Sequence, residues 1–151
     1  MRLVLYQPDI PQNTGTILRM AACFGVPVEV IEPTGFIWSE QRMRRAGMDY
    51  LTLAQVTRHA SWEAYLANRS AGRLVLLSTR GTTPLPATRF QTDDHLLLGR
   101  ESAGVPDTVH DQADLTVRLP MRTEARSLNV AMTAGIALAE GLRQTAGWPE
   151  G

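Results

Sequence analysis

Four short stretches hold the residue types that could do chemistry. Gly99-Arg100-Glu101-Ser102-Ala103-Gly104-Val105-Pro106 follows the apolar run Leu96–Leu98 and sets two glycines five positions apart. That pattern suits a backbone approached closely by a ligand, and it suits a tight turn equally well. Val105-Pro106 stands where a P-loop requires Lys and Ser/Thr, so this is not a triphosphate cradle. Ser102 has Gly at +2 but Arg100 at −2, so it is not a nucleophile elbow. The second stretch runs from Leu119-Pro120-Met121 to Ser127-Leu128-Asn129. Here Ser127 is expected to cap a helix whose N-terminus could hold an anion or a carboxylate.

The third stretch is Asn13-Thr14-Gly15 through Arg19. Asn13 is expected as an N-cap, and Arg19 lies one and a half turns further on, as a solvated residue or as a phosphate contact. The fourth is the basic cluster Arg42, Arg44 and Arg45, close to Phe36 and Trp38. It combines cations and aromatics as single-stranded nucleic acid sites do, and it also fits a solvated helix face. Arg58, His59, Trp62 and Tyr65 repeat the mixture more weakly, with Trp62 and Tyr65 expected in the core. Several chemistries are excluded. Every one of the fifteen basic residues is Arg, so no lysine base or Schiff base is available. One Cys and three scattered His give no zinc-ligand spacing. No G-x-G-x-x-G fingerprint occurs, which argues against a nicotinamide dinucleotide site.

The elements that must position these stretches read as an α/β alternation. Apolar runs at Leu3–Tyr6, Val28–Ile31, Leu74–Leu77 and Leu96–Leu98 predict buried strands. Leu115, Val117 and Leu119 alternate with polar residues and predict a half-exposed strand. Helices are expected from Asn13 to Gly25, over Ser39–Ala46 and Ser61–Arg69, and from Ser127 to about Gln144. The last contains Gly135 and Gly141, which cost helix stability and so suggest close packing against other backbone, in a core or a dimer. Such alternation means a mainly parallel sheet flanked by helices, with ligands beyond the C-terminal strand ends. The loops after Tyr6, Leu77, Leu98 and Leu119 are therefore the ones to watch.

The chain has 151 residues with fifteen positive and fifteen negative groups. It is expected to form one domain over residues 1–151, with a core that needs no disulfide or metal. A polyanion must then be met by a local patch, since no global field attracts it. The longest uncharged stretch, Ser127–Ala139, falls short of the ~20 residues that cross a bilayer. A soluble, cytoplasmic protein is expected.

Four segments together carry a resemblance: VLYQPDIPQNTGTILR, IEPTGFIWSEQRMRRAGMDY, LLLGRESAGVP and LPMRTEARSLNVAMTAGIAL. In this order they resemble the SPOUT-class RNA methyltransferases, and most of all the TrmL/YibK-like tRNA (cytidine/uridine-34 2′-O)-methyltransferases. The resemblance implies an α/β knot with a C-terminal deep trefoil, and no separate RNA-binding extension. It implies S-adenosyl-L-methionine as methyl donor, a homodimer, and the tRNA anticodon stem-loop as substrate. By motif it places the cofactor at Leu77, Ser78, Thr79, Gly99, Glu101, Gly104, Leu119, Met121, Ser127 and Leu128. It assigns RNA contacts to Asn13, Arg19 and Asn129, and the basic cluster Arg42, Arg44 and Arg45 is expected on the RNA backbone. Arg100 departs from the family, where many relatives have Pro. Arg19 and Glu101 are the expected catalytic pair. A guanidinium is a poor base at neutral pH, which leaves Arg19 an electrostatic role and Glu101 the proton, or a brace for the cofactor loop. Alternative readings are a ribosomal RNA or other tRNA target, a non-catalytic RNA-binding protein of the same fold, and a nicotinamide enzyme.

Overall fold

The computed structural model describes residues 1–45 and 52–151. Residues 46–51 fall outside it, and with them the expected end of the second helix at Ala46 and the Ala46–Tyr50 part of the second motif. In the described residues the strands are β1 (Arg2–Tyr6), β2 (Val28–Ile31), β3 (Val56–His59), β4 (Leu74–Leu77), β5 (Thr83–Pro84), β6 (His95–Leu98) and β7 (Leu115–Arg118). The helices are α1 (Pro11–Phe24), α2 (Glu40–Arg45), α3 (Trp62–Asn68), α4 (Asp107–Asp111) and α5 (Val130–Gln144). The strands form one sheet in the order β3-β2-β1-β6-β4-β7-β5, and every pairing is parallel. β2, β4 and β6 are buried along their whole length, as continuous apolar runs in a two-sided sheet should be.

Side-chain alternation splits the core in two. Leu3, Leu5, Val28, Val30, Val75, Leu77, Leu96, Leu98 and Val117 point to the face covered by α1 and α5. Val4, Tyr6, Ile31, Leu74, Leu76 and Leu97 point to the face that receives Trp62 and Tyr65 of α3 and Val109 of α4. Trp62 and Tyr65 are thus core residues, as expected. That second face also buries Glu29, His59 and His95, and each of these has a partner. His59 Nε2 donates to Glu29 at 2.7 Å, and Arg2 donates to the other Glu29 oxygen at 2.8 Å. The Tyr65 hydroxyl meets His95 Nδ1 at 2.8 Å.

Three expectations change. Asn13 is not an N-cap: α1 begins earlier, with Pro11 in its first turn and Ile10 at the cap position, and makes no side-chain cap bond. Proline's missing N–H and fixed φ suit that place. Ser127 is not the cap of α5 either; Asn129 is, accepting from the N–H groups of Ala131 and Met132. Gly135 and Gly141 do pack closely, but against side chains: a Cβ on Gly135 would meet Met20 Sδ at 3.3 Å, and one on Gly141 would meet Met1 Cε at 2.5 Å.

Three further elements gave little signal. β3 exposes Thr57 and Arg58 at the sheet edge. β5 is a two-residue edge strand containing a proline, as edges allow. α4 spans only five residues behind Pro106. No helix among the described residues is long and apolar enough to cross a membrane.

Candidate active site

Because all strands run parallel, the loops after β1, β4, β6 and β7 leave the same edge of the sheet. The order is not sequential: β6 lies between β1 and β4, and β7 between β4 and β5. The late strands therefore bring their loops between earlier ones, and the loops enclose a cavity of about 520 Å³. This volume falls within the roughly 300–1,000 Å³ of small-molecule and cofactor sites.

The wall after β6 is a closed loop. Arg100 and Gly104 exchange backbone hydrogen bonds of 3.1 and 2.8 Å. Gly104 has φ +63°, and a Cβ on Gly99 would lie 2.7 Å from the Gly104 Cα. Glycine is required at both ends, once for conformation and once for space. Leu77, Ser78, Thr79 and Arg80 form the wall after β4, and Leu119, Met121, Ser127, Leu128 and Asn129 that after β7. Ile10 and Asn13 close the side next to α1.

One hydrogen-bond chain ties three of these loops. Asp9 accepts from the Glu101 N–H at 3.1 Å and from the Ser102 hydroxyl, while its own N–H donates to Glu101 Oε2 at 2.9 Å. Asn13 Nδ2 donates to Glu101 Oε1 at 3.3 Å. Asn129 Nδ2 donates to Asn13 Oδ1 at 2.9 Å, and Asn129 Oδ1 caps α5. Asn13 is free for this role because Pro11, not Asn13, starts its helix.

Burial pushes the Glu101 carboxyl above its ordinary range, and the adjoining Asp9 carboxyl adds to the effect. Asp9 is held low, chiefly by its hydrogen bond with Glu101. Each carboxylate oxygen can accept more than one hydrogen bond, so Glu101 keeps acceptor capacity for a group in the cavity. At the rim Arg80 pairs with Asp107 at 3.1 Å. Arg100 lines the cavity, and its Nε is buried with no hydrogen-bond partner among the described residues.

The structure brings Leu77, Ser78, Thr79, Gly99, Glu101, Gly104, Leu119, Met121, Ser127 and Leu128 together on this one cavity, with Asn13 and Asn129. It does not bring Arg19, Arg42, Arg44 or Arg45 to the cavity wall. Arg19 is exposed on α1, six residues past Asn13, or roughly 9 Å along the helix axis. Arg42, Arg44 and Arg45 are exposed on α2, which anchors through buried Met43. Just before α2, the Phe36 and Trp38 rings stack at 6.4 Å, and the Arg58 guanidinium lies 4.9 Å from the Trp38 ring centroid. Sequence reasoning missed Asp9, Ile10, Arg80 and Thr133. For Asp9 the one available signal was a carboxylate just past a buried strand.

The parallel α/β sheet, with its loop-lined cavity at the C-terminal strand ends, matches that of the SPOUT class of methyltransferase. Residues 1–139 match the SpoU rRNA Methylase family, and the chain belongs to it. A relative from Beijerinckia indica, named tRNA (cytidine(34)-2'-O)-methyltransferase, is 54% identical over 144 residues, covering 94% of this chain and 90% of the relative. A solved structure described as "Structural insights into the 2-OH methylation of C/U34 on tRNA" superposes with a TM-score of 0.90 at 41% identity, covering 97% of this chain and 96% of the other. The SpoU methyltransferase AviRb from Streptomyces viridochromogenes, solved with AdoMet, superposes at 0.81 with 27% identity, covering 95% of this chain and 60% of that one.

Proposed function

We propose that this chain transfers a methyl group from S-adenosylmethionine to the ribose 2′-hydroxyl of nucleotide 34 in the anticodon loop of tRNA. The observation that carries the reading is the convergence of three separate loops, after β4, β6 and β7, on one cavity, the last two tied to the segment after β1 by the Asp9–Glu101–Asn13–Asn129 chain. The lining suits the cofactor. Leu77, Leu98, Leu119 and Leu128 offer an apolar surface, Ser78, Thr79 and Ser127 offer hydroxyls, and the unpartnered Arg100 Nε is a donor that a carboxylate would satisfy. Bound there, S-adenosylmethionine supplies a methyl on a positively charged sulfur, a leaving group that needs no protonation.

The chain's own residues then have positional work. Gly99–Gly104, Leu77–Thr79, Leu119, Met121, Ser127 and Leu128 hold the donor. Glu101 takes the proton from the 2′-hydroxyl; its raised carboxyl is a better base near neutrality than an ordinary carboxylate. Arg19, outside the cavity wall, holds an adjacent phosphate or the developing oxygen charge. Arg42, Arg44 and Arg45 contact the anticodon-loop backbone, with Asn13 and Asn129 at the cavity mouth. Residues 1–151 act as one domain in the cytoplasm. The insertion of β6 and β7 between earlier strands supports a knotted C-terminal segment. Met132 and Ile136, four apart on α5 and 58% and 41% exposed, support a homodimer packed through that helix.

The test uses bulk tRNA from cells deleted for the gene, incubated with purified protein and labelled S-adenosylmethionine. New 2′-O-methyl groups are then mapped by nuclease digestion and mass spectrometry. Methyl at nucleotide 34 of a few tRNA species is the expected result. Cofactor binding with no incorporation into tRNA would overturn the substrate and redirect it to ribosomal RNA. Arg19→Lys with near-full turnover would overturn any role that needs the planar guanidinium.

A further inference from the structure

Three segments meet at Asp9. The chain leaves β1 through Gln7, a non-glycine residue at φ +43°, a conformation that persists only where its surroundings hold it. It then enters two contacts. On one side the Asp9 carboxylate takes the Glu101 N–H and the Ser102 hydroxyl, while the Asp9 N–H returns a bond to Glu101 Oε2. On the other side lies Gly35, whose N–H donates to the Pro8 carbonyl at 2.9 Å. A Cβ on Gly35 would stand 2.4 Å from Asp9 Cβ and 2.8 Å from Asp9 Cα. Phe36 and the stacked Trp38 come immediately after it. Asp9 itself is not part of the cavity wall.

We propose that Asp9 is a positioning residue for the transfer: its carboxylate sets the shape of the Gly99–Gly104 loop and the aim of Glu101, and Gly35 is small so that the aromatic loop can seat against it. This rests on the methyltransferase reading above. The bracket is reciprocal, side chain to backbone in both directions, so neither loop can shift without breaking bonds on both. The other charged groups at the site are Arg100 on the same loop and Arg80 across the cavity, the latter already paired with Asp107. Asp9 is therefore the carboxylate that bears directly on Glu101.

The experiment compares wild type, Asp9→Ala, Asp9→Asn and Gly35→Ala in the full chain. S-adenosylmethionine binding is measured calorimetrically without RNA, kcat and KM are measured with tRNA, and thermal unfolding is followed in parallel. Asp9→Ala removes two charge-assisted bonds, so cofactor affinity should fall by roughly tenfold or more. Asp9→Asn keeps the shape and part of the acceptor capacity and should fall between. Gly35→Ala should reproduce the Asp9→Ala loss, although Gly35 touches neither the cavity nor Glu101. At saturating cofactor kcat should drop further than KM for tRNA rises, with unfolding midpoints lowered but well above the assay temperature. Cofactor affinity within twofold of wild type and unchanged kcat in Asp9→Ala and Gly35→Ala would overturn the inference. So would losses in all three variants that merely track a collapsed midpoint. A wild-type chain that neither binds S-adenosylmethionine nor methylates RNA would instead overturn the underlying function.

Discussion

Asn129→Ala should destabilise the chain, and Ser127→Ala should not. Asn129 Oδ1 satisfies the N–H groups of Ala131 and Met132 at 2.9 and 3.3 Å, and its Nδ2 donates to Asn13 at 2.9 Å. Loss of an N-cap costs about 1 kcal/mol, and a neutral side-chain hydrogen bond contributes about 0.5–1.5 kcal/mol. Asn129 is exposed, so water replaces part of both. The expected cost is about 1–2 kcal/mol, or about 2–8 °C in unfolding midpoint for a chain of this size. Ser127 is exposed and does not cap the helix, so its removal should stay within about 0.5 kcal/mol. Asn129→Asp separates the two contributions: it keeps the cap, places a negative charge at a helix N-terminus, and loses only the donor to Asn13. Urea and thermal unfolding at one fixed protein concentration measure all three variants, since association would otherwise shift the midpoint. A Ser127→Ala cost equal to or above that of Asn129→Ala would refute the capping assignment and the loop linkage built on it.

The same geometry sets other outcomes. Gly99→Ala puts a methyl 2.7 Å from the Gly104 Cα, so the loop cannot close; cofactor affinity should fall at least roughly tenfold, read by calorimetry, with far-UV circular dichroism unchanged. Replacing Arg42, Arg44 and Arg45 by Gln should weaken tRNA binding and reduce the slope of log K against log salt by about 2, with cofactor affinity unchanged; equal loss of cofactor binding would make the cluster structural. Burial holds the His95 imidazole below its usual range, with Arg2 and Arg69 adding to the effect. The unfolded chain then takes up a proton near pH ~6.5 that the folded chain refuses, so stability should fade as pH drops below that point. His95→Gln should flatten the slope of urea-derived stability between about pH 6.5 and 5. Tyr65→Phe should leave that slope in place and cost about 1–2 kcal/mol, by orphaning His95 Nδ1.

Much of the sheet was legible because buried parallel strands are continuous apolar runs. Leu74–Leu77 and Leu96–Leu98 could hardly be anything else, and both lie inside strands buried end to end. β3 was hidden because an edge strand exposes Thr57 and Arg58 and loses the apolar signature. The two misplaced caps share one cause. Asn13 and Ser127 are good capping residues by type, but a cap is decided by where the backbone turns. Pro11 starts one helix early, and the chain stays irregular up to Asn129 before the other. The cavity wall was readable from motifs that are contiguous in sequence. Asp9 was not, because its role depends on Glu101 and Gly35, 92 and 26 positions away. Strand order was equally out of reach: no local pattern says that β6 enters between β1 and β4.

That strand order also bears on how a chain with no net charge can meet a polyanion. In a parallel sheet, the segments that enter the strands and the segments that leave them lie at opposite edges. Asp94 and Asp114 precede β6 and β7, so they stand at the N-terminal edge. There Asp94 pairs with Arg73 at 2.9 Å, and Asp114 accepts from the Leu74 N–H at 2.7 Å. α2 follows a segment seated at the C-terminal edge, where Gly35 bonds the Pro8 carbonyl and Trp38 lies against Arg58, so Arg42, Arg44 and Arg45 start out from the cavity's edge. Among the described residues these three form no ion pair. At the cavity edge Arg80 is likewise paired, with Asp107, whereas the three arginines of α2 are not. The fifteen positive and fifteen negative groups cancel in sum but not in place, and the local field of Arg42, Arg44 and Arg45 is what an RNA backbone would meet. Attraction of this kind acts over about one Debye length, so binding should weaken steeply with salt even though the protein as a whole is neutral.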